Sequence, residues 1–367
     1  MFELDEPYVG KEELNYLKQA IESGWISARG PFVKKFEEEF AKYIGVKYAV
    51  SCASGTSATS LLCPTLQIKP GDEVILQSLT FTADAWAMHQ AGAKIIFADC
   101  AKDTFSIDPE DVRKKISKKT KIISPTHLYG RASKMDALRE ICDENNIYLI
   151  EDCCQAMGSK YKDKMVGSIG DFNFYSFHNK LIASGEGGMI TTNDKNLAER
   201  FDKLKSPPAV NRPEERDGFT EISMNHRLSN LHAAVGLAQL ERLEKNIKKK
   251  ERMAEIYDEI FEKSEGISLI KEDKENRTVW WRYTILLDPK INVSKFKDKA
   301  LENKIVVREG YLPLHQHPFF KEYNNLHLPH AERLGKLAID IPSSFKLKED
   351  DIVFIGQTLK KIAKNLL

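Results

Sequence analysis

The sequence predicts an α/β protein: a large domain with a mostly parallel seven-stranded sheet between helices, followed by a smaller C-terminal α+β domain. Three observations carry this reading. Between Lys47 and Thr192, seven short apolar runs alternate with helical patterns, as in a parallel sheet covered on both faces. Beyond Ser206 that rhythm stops, and strand-like runs return only near the C-terminus. A length of 367 residues also accommodates two domains. The division is placed near residue 245, giving a large domain over 1–244 that includes N-terminal helices and a small domain over 245–367.

The elements follow in order. Residues 11–24 (KEELNYLKQAIESG) carry apolar positions at helical spacing and end in glycine. The loop WISARGPFV follows, with Trp25 either a core anchor or an aromatic at a site, and 32–44 (FVKKFEEEFAKYI) is amphipathic and helical. The seven strand-like runs are 47–51, 73–77, 94–98, 121–125, 147–151, 172–177 and 188–192, with helical patterns at 108–115 and 134–145 among the gaps. The proline-rich, charged stretch 206–219 reads as an exposed loop or lid. A helical segment then spans 230–263, its lysine run a solvated face. The small domain offers a strand at 281–287, a helix at 294–303, a strand at 305–309 and a closing helix from 350.

Composition excludes several classes. Fifty-five basic residues balance fifty-four acidic ones, so nothing points to nucleic acid or an anionic membrane surface. The start of the chain, MFELDEPYVGKEEL, lacks a signal-peptide pattern, and no apolar run approaches the roughly 18 residues of a membrane span. The expected location is cytoplasmic. Six cysteines sit mostly in apolar segments without a CxxC pair and read as buried free thiols.

Chemistry concentrates where strands end, as ligands do in such sheets. The first strand runs into Ser54, Gly55, Thr56 and Ser57 at a helix start, which is either an ordinary cap or a phosphate site. The fifth ends in Glu151 and Asp152, a buried acid that calls for a cation: a neighbouring Arg or Lys, or a protonated heteroaromatic nitrogen. Lys180 follows the sixth run and precedes a Gly-Glu-Gly-Gly turn. It either begins an exposed loop or is an amine suited to a Schiff base. A phosphate cradle, an acid for a pyridinium and a lysine for an aldehyde are together the handles of pyridoxal phosphate.

Those residues carry a resemblance that runs nearly end to end. SGWISARGPFVKKFEEEFAKYIG, ASGTSA, GDEVILQSLTFTA, AGAKIIFADC, THLYG, LIEDCCQAMGSKY, GEGG, MNHRLSNLHAAVGLAQLERL and YLPLHQHP occur in the order found in the DegT-type nucleotide-sugar aminotransferases, which have the aspartate aminotransferase fold (fold type I). Within that family the chain is most similar to GDP-perosamine synthase-like members, where Asn-Lys also precedes the glycine turn. The resemblance implies that Lys180 carries pyridoxal 5'-phosphate as a Schiff base and then moves protons. It implies that Asp152 pairs with the pyridine nitrogen, Gln155 bonds the ring hydroxyl and Phe81 stacks on the ring. Gly55, Thr56 and Ser176 match phosphate-binding groups. Asn225 matches an asparagine that reaches the phosphate from the other subunit of a homodimer.

Two features depart from the family pattern: SFHNK is one residue short before the lysine, and 206–219 is an insertion. His178, His127 and His315 are candidate substrate residues or packed histidines. His315, Gln316 and His317 have no further ligands in sequence reach, so no metal is expected. The implied activity is amino transfer, from glutamate, to a nucleotide-linked keto-deoxysugar in deoxyamino-sugar and polysaccharide biosynthesis. The alternatives are a dehydratase or other pyridoxal-phosphate reaction on a related sugar, and a non-catalytic cofactor-binding sensor.

Overall fold

The fold is that of a computed structural model, which describes residues 1–206, 222–271, 273–323 and 325–367. Beyond Ser206, the 206–219 insertion lies outside the described residues.

All seven expected strands are present, each within about a residue of its expected bounds. They are β1 (Tyr48–Cys52), β2 (Glu73–Gln77), β3 (Lys94–Ala98), β4 (Thr120–Ser124), β5 (Tyr148–Asp152), β8 (Phe172–Ser176) and β9 (Gly188–Thr192), with a small hairpin of β6 (Lys160–Tyr161) and β7 (Lys164–Met165) between β5 and β8. The sheet order is β1-β9-β8-β5-β4-β2-β3. Only β9 runs antiparallel to its neighbours; the other pairings are parallel. The near-continuous apolar runs follow from burial on both faces. Val74, Leu76, Ile122 and Ile150 enter one core cluster, while their neighbours Ile75, Ile123 and Leu149 enter the cluster on the other face.

Helix Pro31–Ile44 buries Phe32, Phe36, Phe40 and Ile44, a stripe at four-residue spacing. It starts on proline, whose missing N–H is not needed there, and stops at Gly45 with φ of +84°. The segment expected as one helix over 230–263 is two, Asn230–Glu241 and Leu243–Phe261, separated at Arg242. There the Arg242 guanidinium pairs with Glu13 and donates to the Tyr8 carbonyl.

The second sheet is antiparallel, in the order β10 (Ile267–Ser268), β11 (Tyr283–Leu287), β13 (Ala338–Ile341), β12 (Arg308–Glu309). The strand expected at 305–309 keeps only its last two residues in this sheet. Its first half instead meets the start of the chain: Phe2 N–H donates to Lys304 O at 2.8 Å, and Val306 N–H to Phe2 O at 3.0 Å. Helices Leu243–Phe261, Val293–Glu302 and Glu349–Asn365 close this core around Tyr257, Tyr283, Phe296, Ile339 and Ile355. Leu314, Phe320, Leu328 and Leu334 pack instead into the core of the large sheet.

Candidate active site

The carboxyl ends of β1, β5 and β8 border a cavity of about 480 Å³. From β1 the chain passes Ser54 into helix Gly55–Thr65. Ser54 Oγ accepts the Ser57 N–H at 3.0 Å, and the first-turn N–H groups before it have no intrahelical acceptor. A Cβ on Gly55 would stand 2.8 Å from Ser176 Cβ at the end of β8, so the absent side chain is what lets helix and strand ends meet. Thr56 is exposed, and both it and Ser176 line the cavity. A positive helix end flanked by two hydroxyls forms an anion cradle.

Asp152 closes β5. Side chains alternate along a strand, so Glu151 and Asp152 face opposite ways. Asp152 lines the cavity, and its Oδ1 accepts the Cys154 N–H at 2.9 Å. Glu151 turns away and accepts from the backbone N–H groups of Gly167, Ile169 and Gly170 at 2.6–2.9 Å. In the first turn of helix Ala83–Gln90, Asp84 meets Asp152. Burial, then the Asp152 charge, hold the Asp84 carboxyl well above the ordinary carboxylate range.

Lys180 reaches the same cavity. Burial pushes its amine from 10.5 down to about 8; Arg282 adds to that shift, while Cys154, Asp152 and Asp5 oppose it. Lys180 Nζ lies 3.6 Å from the centroid of the Trp281 ring. Trp281 Nε1 donates to Asn179 O at 3.0 Å, and Asn179 has φ of +41°, a conformation asparagine tolerates. That left-handed residue closes the short SFHNK loop while Lys180 and Ser176 both stay on the cavity. Lys250, buried and pushed down to about 7 by desolvation, donates to the carbonyls of Trp281 and Ser343 and so anchors the tryptophan backbone.

The other expected residues separate into two groups. Gln155 lines the cavity; its Oε1 accepts the Tyr129 N–H at 2.9 Å and its Nε2 donates to Tyr311 Oη at 3.0 Å, leaving one amide N–H. Phe81 also lines it, 53 % exposed, with its ring edge-on to Tyr311 at 6.4 Å. His178 stands at the cavity, exposed, with Nδ1 3.3 Å from Glu186. His127 and His315 do not line it. His127 is buried, its Nε2 2.9 Å from Glu151 and its Nδ1 accepting the Ser133 N–H at 3.0 Å. Those bonds engage His127 and Glu151, which with Cys153 form a trio of metal-ligating residue types among the described residues. His315 is buried against Ser78 Oγ at 2.7 Å. Asn225 is exposed and outside the cavity of its own chain, although the next residue, His226, accepts the Ala53 N–H at 2.8 Å beside the helix start.

Several cavity residues escaped the sequence reading: Asp84, Trp281, Arg282, Arg308, Tyr311 and Asp5. Arg282 lies 4.2 Å over the Trp281 ring and pairs with Asp5 at 2.8 Å and Asp340 at 3.3 Å. Arg308 meets the same Asp340 at 2.9 Å. Burial lifts the Asp340 carboxyl to about 7 against the pull of Arg282. The runs WRYTILL and IVVRE were visible as strands, but nothing local tells what an arginine at such an end will face.

An anion cradle, an acid, an amine of lowered pKa, an aromatic ring and a spare amide N–H around one cavity fit pyridoxal phosphate by donor chemistry. Gly55 supplies the cradle that a Cβ would fill. Comparison with known proteins agrees. The family model described as "DegT/DnrJ/EryC1/StrS aminotransferase family" matches residues 7–360. GDP-perosamine synthase from Escherichia coli O157:H7 is 36% identical over 361 residues, covering 97% of each chain. The UDP-4-amino-4,6-dideoxy-N-acetyl-beta-L-altrosamine transaminase of Campylobacter jejuni is 32% identical over 366 residues, covering 98% of this chain and 96% of that one. Among solved structures, Helicobacter pylori PseC, an aminotransferase involved in the biosynthesis of pseudoaminic acid, superposes with a TM-score of 0.93 at 25% identity over 99% of each chain. The aminotransferase TlmJ from Streptoalloteichus hindustanus gives 0.93 at 26% over 100% of each. The chain therefore belongs to the DegT/DnrJ/EryC1/StrS aminotransferase family and is a pyridoxal-phosphate-dependent aminotransferase.

Proposed function

We propose that this enzyme transfers the amino group of glutamate to the keto group of a nucleotide-linked deoxysugar. The single observation that carries the reading is the lysine. Lys180, with its amine lowered to about 8, shares one cavity with the acid Asp152 and with the Gly55, Thr56 and Ser176 cradle. Relatives named as GDP-perosamine synthase and as a UDP-sugar transaminase support the substrate class.

When bound, the cofactor supplies an electron sink and a carrier for the amine. The chain does the rest. Gly55, Thr56 and Ser176 would hold the phosphate, and Asp152 would keep the ring nitrogen protonated. Gln155, with its spare N–H, would bind the ring hydroxyl, and Phe81 would stack on the ring. Lys180 would hold the aldehyde and, as amine and ammonium in turn, would be the general base and acid that moves a proton at the reacting carbon. An amine half protonated near pH 8 serves both duties. His178 sits where it can touch substrate, whereas the buried His127 and His315 hold the fold.

We further assign the enzyme to the cytoplasm, as a homodimer whose sites are shared, with Asn225 completing the partner's phosphate cradle. The exposed side chains of Trp25, Trp86, Ile222 and Met224 support an apolar interface. No described helix is long and apolar enough to cross a membrane. We place the domain division at 244/245, with residues 2–6 crossing back to the small sheet. Supplying glutamate with a panel of GDP-, dTDP- and UDP-linked keto-sugars tests the function. Release of 2-oxoglutarate with at least one member is expected; consumption of a sugar without it would contradict amino transfer and indicate a dehydratase.

A further inference from the structure

Asp84 is a buried carboxyl group at the cavity to which the chemistry above gives no task. It is 5 % exposed and Asp152 is 4 %, both line the one cavity, and the Asp152 carboxylate is close enough to act directly on Asp84. Two carboxyl groups in contact away from water cannot both hold a charge, so the pair keeps a proton. The surroundings decide which member carries it. Asp152 already accepts the Cys154 N–H at 2.9 Å and shares the cavity with the Lys180 amine, so it takes the acceptor's part.

The other titratable groups on the elements around Asp84 do not compensate. Cys154 is pushed well up by burial. On helix Gly55–Thr65, packed alongside, Cys63 is pushed up to about 12 by burial. On β3, Lys94 lies at the far end of the strand, paired with Glu73 at 3.1 Å. His89, in the last turn of the Asp84 helix, packs edge-on to Phe319.

Resting on the reading that Asp152 holds the cofactor ring nitrogen, we propose that Asp84 is a positioning residue: a neutral acid that donates its proton to Asp152 and, with the Cys154 N–H, holds that carboxylate facing the cavity. Asp84 thereby acts on the cofactor through Asp152 and touches neither substrate nor the reacting carbon.

The test uses the full chain, apo and reconstituted with pyridoxal phosphate. Asp84→Ala removes the donated hydrogen bond and is expected to weaken cofactor affinity about tenfold in an absorbance titration. Asp84→Asn keeps a donor of the same shape and is expected to restore affinity to within about threefold of wild type. The apo protein supplies a second readout. Because the fold raises the Asp84 pKa, its contribution to stability is full below its ordinary value of 3.8 and is lost as pH climbs through the raised one. The wild-type Tm therefore falls across that window, and Asp84→Asn lacks that component. A folded Asp84→Ala that binds cofactor like wild type overturns the proposal, and so does an Asp84→Asn that keeps the wild-type decline in Tm. If wild type itself shows no visible absorbance of lysine-bound cofactor, it is the assignment of Lys180 that fails, not that of Asp84.

Discussion

Lys180 is an ammonium-forming group kept largely from water, and that alone accounts for much of its suitability. Its pKa of about 8 makes it free amine over a pH range where an ordinary lysine is protonated. The rate at which apoenzyme captures pyridoxal phosphate, followed by visible absorbance, is expected to rise with pH through a midpoint near 8 rather than 10.5. Arg282→Met removes a positive neighbour and leaves Asp5 and Asp340 less compensated, so it should move that midpoint upward. A downward move or none would contradict the electrostatic account. The same shift has a stability consequence. The fold binds the Lys180 proton less tightly than the unfolded chain does, so apo stability rises between about pH 8 and 10.5. Apo Lys180→Met should accordingly melt higher than wild type at pH 7, by an advantage that shrinks over that interval.

Two element ends do most of the positioning. At the start of helix Gly55–Thr65, a side chain at position 55 would collide with Ser176 and approach Cys154 Sγ at 3.3 Å. Gly55→Val is expected to cost about 1–3 kcal/mol in thermal denaturation and to weaken phosphate-dependent cofactor binding; a variant neutral in both would contradict the cradle. At the end of β5, Glu151→Ala strands the N–H groups of Gly167, Ile169 and Gly170 and the buried His127, and should destabilise by about 3–5 kcal/mol while leaving the cavity lining intact. Much of this was legible in the sequence. Runs buried on both faces announce parallel strands, and small residues after β1, an acid after β5 and a lysine after β8 mark three strand ends that a parallel sheet gathers together. Asp84 was not legible, because an acid in the first turn of the ADAW helix start reads as an ordinary helix acid until Asp152 is seen against it. Nor was the fate of 305–309, where half of a strand pattern pairs with Phe2 across the whole length of the chain.

At the scale of the molecule, the cavity is a junction. The large sheet supplies the cradle, acid and lysine; the C-terminal unit supplies Trp281, Arg282, Arg308 and Tyr311; the N-terminus supplies Asp5. Residues gathered from such distant segments carry no local signal, and their roles emerge only with tertiary structure. If Asn225 completes the site of a second copy, mixing inactive Lys180→Ala with inactive Asn225→Ala under subunit exchange should restore activity, because hybrid dimers hold one site with both native residues. Absence of any recovery, with exchange verified, would mean that each chain builds its site alone. The most direct measurement of the whole account is the visible spectrum of wild-type and Lys180→Ala protein reconstituted with pyridoxal phosphate, recorded before and after glutamate. Wild type should show the absorbance of lysine-bound cofactor, lose it on adding glutamate and release 2-oxoglutarate, while the variant shows neither the band nor, beyond roughly a thousandth of the wild-type rate, the product. A Lys180→Ala protein that keeps both would contradict the account.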